Sequence, residues 1–261
     1  MLWLFIRLQK VEVEASTFPD RDFCFDPIEF IGTSEGAHVP LDTTEGIVIK
    51  SLPYQESKRI FSLFTEKGLL SCIAEIKDNN PESLLVCSPL SKGEYIFMET
   101  KGGWRKMRDV SLQTSYLNFK SSYALLDSAS LCLQAIAASQ MENKPSPLLY
   151  HLLNVYLEKI ADFSDPYIIT SSFFLKVLRY EGFFFLDTLC HFCETLPSQG
   201  YVDCRPSCGC YTHPQGLFFD PTEWKQITVL AFAKEIALLK TLECSQLLHE
   251  KIRKLFEEFF R

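Results

Sequence analysis

From Glu45 onward the chain alternates short apolar runs with turn-forming clusters, and the spacing of the apolar positions changes once, near Tyr116. Before that point, runs rich in Val, Ile, Leu and Phe predict strands over residues 45–52, 59–65, 69–76, 94–100 and 104–112. Pro53, Gly68, Asp78-Asn79-Asn80-Pro81 and Gly102-Gly103 separate them. After it, Tyr116, Phe119, Tyr123, Leu126, Leu131, Leu133 and Ile136 recur near the helical period, so the remainder reads as mainly helical. Three helix starts are marked by a capping side chain before proline: Ser146-Pro147, Asp165-Pro166 and Asp220-Pro221, the last with Glu223 placed for a capping box. Gly182 is placed to end a helix over 167–181. Two final helices, over 221–239 and 242–260, carry apolar stripes (Val229, Phe232, Ile236, Leu239; Leu248, Ile252, Leu255, Phe259) that read as core. Residues 1–43 differ: acids and turn formers interrupt every apolar run, which predicts a poorly ordered extension.

Five short strands in so short a stretch suit a small barrel of the oligonucleotide-binding (OB) type. The predicted fold class is therefore α+β: an N-terminal OB-fold β-barrel over 44–115, then an all-helical domain over 116–261. Hydrophobic residues at 47% and charged residues at 23% exclude a wholly disordered chain. No apolar run approaches the roughly 18 residues of a membrane span; Gly182-Phe183-Phe184-Phe185-Leu186 stops at an acid. The apolar opening Met1 to Arg7 lacks a basic n-region and a cleavage site, so a soluble, cytoplasmic protein is expected.

Five of the ten cysteines fall between 190 and 210, which in a reducing compartment points to metal and not to disulfides. Cys190-x2-Cys193 and Cys204-x3-Cys208 form two thiolate pairs that can wrap tetrahedrally around a structural zinc ion, a zinc knuckle inserted in the helical domain. Cys210, His191 or His213 could replace one ligand. The plainer reading is a metal-free group of thiols. Cys24, Cys72, Cys87, Cys132 and Cys244 lie in apolar contexts and read as small buried hydrophobes. No P-loop, dinucleotide fingerprint, nucleophile elbow or His-Glu-x-x-His occurs, and a zinc deaminase's His-x-Glu is absent at His191, so no enzymatic activity is expected.

The formal charge is −7, unevenly spread. Residues 1–43 hold three basic against eight acidic groups, 44–118 ten against nine, and 119–261 thirteen against sixteen. A polyanion would therefore meet the middle segment, through local patches. There Lys101, Arg105, Lys106 and Arg108 cluster around Trp104, and Lys50, Lys58 and Arg59 flank the first turn. Cations spaced along a groove, with an aromatic face for stacking, are what a sugar-phosphate strand requires. The plainer alternative is solvated charge with Trp104 in the core.

Together these features resemble the bacterial recombination mediator family RecO. The resemblance rests on Glu45-Gly46-Ile47-Val48-Ile49-Lys50, the turn Glu56-Ser57-Lys58-Arg59, the strand Leu63-Phe64-Thr65-Glu66-Lys67-Gly68, Ser88-Pro89-Leu90, and Leu178-Arg179-Tyr180-Glu181-Gly182-Phe183 followed by Cys190-His191-Phe192-Cys193. It implies binding of single- and double-stranded DNA, strand annealing and, with RecR, help in loading RecA onto DNA covered by single-strand-binding protein. The family's basic loop after the third strand reads here Ala74-Glu75-Ile76-Lys77-Asp78-Asn79-Asn80-Pro81, which predicts weak binding. Residues 1–43 have no counterpart and are expected to be dispensable, with Val39 or Leu41 as a possible native start. A second function class is a zinc-stabilised protein-interaction scaffold without DNA affinity.

Overall fold

The computed structural model describes residues 41–76, 81–100, 104–186, 188–203, 206–208 and 216–260. The extension over 1–40, Lys101, Cys204, Cys210 and His213 lie outside the described residues.

Five strands close into a barrel in the order β1-β2-β3-β5-β4: β1 Leu41–Tyr54, β2 Lys58–Thr65, β3 Gly68–Glu75, β4 Ser91–Glu99 and β5 Arg105–Ser115. A short helix, α1 (Pro81–Val86), lies between β3 and β4. β1 is long because it serves two partners: Leu41 to Ile47 pair with β4 and Ile47 to Tyr54 with β2, with a bulge between Val48 and Lys50. Leu41, Asp42 and Thr43, assigned by sequence to the extension, thus begin the first strand opposite Met98, Phe97 and Ile96. Only β3 and β5 run parallel. Strand alternation sends Val48, Phe61, Leu63, Leu70, Cys72, Ala74, Tyr95 and Phe97 into the barrel, where Cys87 joins them. Tyr95 satisfies its buried hydroxyl by donating to the Val86 carbonyl at 2.8 Å. Gly46 faces Gly93 across β1 and β4. A Cβ on Gly46 would meet the Leu63 side chain at 2.6 Å, so the first strand needs glycine there.

One side of the barrel is not solvated. Ile47, Ile49, Phe64, Leu69 and Leu90 continue into the same core as the helices. The helices are α2 Tyr123–Ser139, α3 Pro147–Lys159, α4 Pro166–Tyr180, α5 Pro221–Phe232 and α6 Gln246–Phe259, preceded by a 3-10 turn over Tyr116–Ser121. Glu45 marks the joint: burial works against its charge, but hydrogen bonds from Tyr150 and Gln113 and the nearby Lys92 hold its carboxyl below the usual value. α4 is the central helix, buried on nearly every side and packed by α2, α3, α5 and α6. Its hydroxyls need partners there and find them: Ser172 donates to the Leu230 carbonyl at 2.6 Å, and Ser171 meets His249 Nδ1 at 2.8 Å. The His249 imidazole is thus a satisfied helix position, with burial pushing its pKa down.

The punctuation marks act as expected at Asp165, which accepts from the Tyr167 amide, and at Asp220, which forms a full capping box with Glu223. Gly182, at φ 79°, ends α4 with amide bonds from Gly182 to Arg179 and from Phe183 to Leu178, the two bonds of a Schellman cap. Ser146 precedes α3 but makes no side-chain cap; its hydroxyl goes to Gln140. Two expectations are corrected. The helix expected over 221–239 stops at Phe232, because Ala233 turns extended (ψ 121°), and a 3-10 turn over Ile236–Thr241 follows; α6 then starts at Gln246, capped by Ser245. The second half is also not all helical. A three-stranded antiparallel sheet, β6 Gly200–Val202, β7 Pro206–Ser207 and β8 Leu217–Phe219, frames the cysteine-rich insertion in the order β7-β6-β8. Strands of two or three residues are too short to show a period.

The barrel and helices are also tied by backbone. Asn143 donates its amide to Leu69 O at 2.9 Å and Ser146 to Glu66 O at 3.1 Å, so the α2–α3 connection lies on the β2–β3 hairpin. Gly68 in that hairpin has φ 100°, and a Cβ there would stand 2.2 Å from the Lys144 carbonyl oxygen. Gly68→Ala combines left-handed backbone strain with displacement of a backbone group, and is expected to destabilise the chain by about 3 kcal/mol. An unchanged urea midpoint would contradict this.

Candidate nucleic-acid interface and thiolate cluster

Residues opposite one another in a sheet share a face. Phe61 and Cys72 point into the barrel, so their neighbours point out. Two outward rows follow. Leu52, Ile60 and Ile73 align across β1, β2 and β3, with Lys106 next on β5; Tyr54, Lys58 and Glu75 form the row beyond. Leu52 is 51% exposed and Tyr54 40%, and Trp104, immediately before β5, is 45% exposed. Lys106 Nζ bonds Glu75 Oε1 at 2.5 Å. The Glu75 carboxyl is held below its ordinary value by that bond and charge, with Lys58 and Arg108 adding to the effect, so three cations gather around one carboxylate.

The predicted basic set therefore divides. Lys58, Lys106 and Arg108 converge on the outer face, and Arg108 also reaches Met98 Sδ at 3.0 Å. Arg59 takes the opposite face of β2, aligned with Pro53 and the inward-facing Ala74, and donates Nε to Ser51 Oγ at 3.0 Å. Arg105 is tied to Asn143 Oδ1 at 3.0 Å. Lys50 faces outward opposite Ser62, but four residues from Tyr54, roughly 13 Å along the strand, where it lines a cavity of about 320 Å3 between the barrel and α2 with Lys120. Trp104 is exposed and not in the core. Leu52 and Tyr54 were not singled out from sequence; their alternation with Lys50 along β1 is the signal that could have found them.

In the insertion, Cys190, Cys193 and Cys208 hold their sulfurs within 4.8 Å of one another, with Cys193 and Cys208 at 3.1 Å. The turn that aims the first pair is closed by Glu194 N to Cys190 O (3.1 Å) and Cys190 N to Thr195 O (2.8 Å), with Glu194 itself at φ 56°. The amide of His191 donates to Pro206 O, joining this turn to β7. Backbone amides of Phe192 and Cys208 point at Cys190 Sγ at 3.4 and 3.3 Å. Burial opposes charge on Cys190, but these donors, with Cys193, lower its thiol to about 7. Three converging sulfurs with amide donors suit a thiophilic metal ion. Cys190 is a free thiol. Cys208 is disulfide-bonded, so ligation would require its reduced form. His191 is not in the group; its ring stands edge-on to Phe192. Cys72, Cys87 and Cys132 are buried free thiols whose pKa values burial raises, as expected of small hydrophobes. No described helix is long and apolar enough to cross a membrane.

Comparison with known proteins gives concordant matches. The family model for the N-terminal part of recombination protein O matches residues 41–116, and that for its C-terminal part matches 122–261. DNA repair protein RecO of Chlamydia muridarum is 31% identical over 222 residues, covering 82% of this chain and 94% of that protein. The Chlamydia pneumoniae protein of the same name is 29% identical over 223 residues, covering 81% and 86%. That of Clostridium perfringens is 27% identical over 164 residues, covering 61% and 66%.

Proposed function

We propose that this chain, which belongs to the RecO family of DNA repair proteins, is a non-enzymatic recombination mediator that captures DNA strands on the outer face of its barrel. The strand order and the helix between β3 and β4 support reading the barrel as an OB fold. The observation that carries the proposal is the gathering of Lys58, Lys106 and Arg108 beside exposed Leu52 and Tyr54. Cations take phosphates by counterion release and apolar or aromatic faces take bases, with no need for sequence readout. Strands held this way, their bases still pairable, could be annealed. RecR, single-strand-binding protein and, indirectly, RecA are the partners of this reading, in a cytoplasmic setting. No bond is made or broken.

Glu75 sets the strength. It occupies Lys106 and lowers the positive potential of the face, so binding is weak and salt-sensitive. Glu75→Gln is expected to tighten single-strand binding by up to nearly tenfold near 50 mM salt and to steepen the log-log salt slope by up to about 0.7, one further phosphate contact. Fluorescence anisotropy reads both, and weaker binding by the variant counts against this face.

Zinc is the metal proposed for the insertion, held by Cys190, Cys193 and Cys208 with Cys204 as fourth ligand. Its contribution there is a structural cross-link between the Cys190 turn and the β6–β7 hairpin, not catalysis. The competing reading is a zinc-stabilised scaffold without DNA affinity. Glu75 amid the cations and a net charge of −7 favour it.

A further inference from the structure

A cavity of about 360 Å3 opens between α3, α4 and the end of α5, with no lining residue from the barrel. His151 comes from α3, Lys176, Arg179 and Tyr180 from α4, Phe232 from the last turn of α5, and Lys234 from just beyond. Among the described residues, no carboxylate lines it. None of Lys176, Arg179 and Lys234 joins an ion pair among the described residues. This is unexpected in a segment where acids outnumber bases sixteen to thirteen.

Cations near helix C-termini offset the helix dipole, and part of the arrangement has that explanation. Lys176 Nζ donates to the Ala233 carbonyl at 2.6 Å, and the Arg179 guanidinium covers the Phe232 ring at 4.2 Å. Dipoles do not explain three cations around one cavity, where mutual repulsion favours a bound anion. Burial and the charge of Arg179 together lower the Lys176 pKa, a cost that an anion would relieve. An arginine fork flanked by ammonium groups matches the several oxygens of a phosphate. Tyr180, 51% exposed at the same cavity, offers a ring face for a base.

We propose that this cavity binds a phosphate group, carried by a free nucleotide or by the phosphodiester backbone of a nucleic-acid strand. The site stands apart from the barrel reading. Lysine acetylation of the full chain, followed by mass spectrometry, tests it with thymidine monophosphate and an oligothymidylate as probes. Lys234 and Lys176 are expected to be acetylated about threefold more slowly, or better, at a probe concentration of at least twice its dissociation constant, while exposed Lys254 on α6 stays unchanged. Protection by both probes assigns a nucleotide site, and protection by the oligothymidylate alone a strand contact. Arg179→Gln, at an exposed position, should keep the fold and lose the protection. Absence of protection by either probe, or protection that survives Arg179→Gln, overturns the proposal. Lys58 and Lys106 are read in the same digest, so failure of the barrel reading is scored separately.

Discussion

Replacing Cys190 by Ser is expected to abolish stoichiometric metal binding and to lower the unfolding free energy by about 3 kcal/mol or more, a fraction of the roughly 10–16 kcal/mol that structural zinc contributes to small metal-dependent folds. The size follows from position. Cys190 is 2% exposed and receives two backbone amides on its sulfur, so a serine oxygen leaves both a poor metal ligand and amide donors spaced for sulfur. The neighbouring structure has little else to hold it: β6, β7 and β8 are two or three residues long. Elemental analysis of protein purified under reducing conditions should find about one zinc per chain, and denaturant unfolding should show the loss in the variant. Wild-type protein without metal, together with an unchanged midpoint for Cys190→Ser, would mean that the thiols are simply packed or oxidised. DNA binding by the variant should keep its salt slope, since the metal acts through folding.

The strands were legible because each is a short apolar run bounded by turn formers, and the helix starts at Asp165 and Asp220 because a capping side chain before proline is a local signal. What the sequence hid is non-local. Lys106 and Glu75 are 31 residues apart and meet only because β5 runs parallel to β3. Lys58 and Arg59 are adjacent and chemically alike, yet the two-residue strand period sends them to different rows. The break at Ala233 leaves no mark in the apolar stripe, because Ile236 and Leu239 keep the helical spacing while the backbone turns extended. In the insertion, by contrast, the spacing already grouped Cys208 with Cys190 and Cys193; β7 returning beside the turn is what brings it there.

The same strand period makes the second large prediction specific. Lys58→Glu with Arg108→Glu reverses two charges beside Glu75, and single-strand affinity near 50 mM salt is expected to fall by about 30-fold or more, since each lost phosphate contact costs nearly tenfold there. All sequences should weaken alike, because phosphate contacts carry no base information. Arg59→Gln should change affinity little, its side chain being engaged with Ser51. Annealing should fall with binding. Equal effects at Lys58 and Arg59 would show that net charge and not this face governs binding.

The central claim is that the barrel captures DNA electrostatically, and the direct test is fluorescence anisotropy of the unmodified chain with a labelled single-stranded oligonucleotide across a salt series. With about three to five phosphates neutralised, affinity should fall as salt rises with a log-log slope of roughly −2 to −4. No salt-sensitive binding near 50 mM salt would contradict it and leave the scaffold reading in its place.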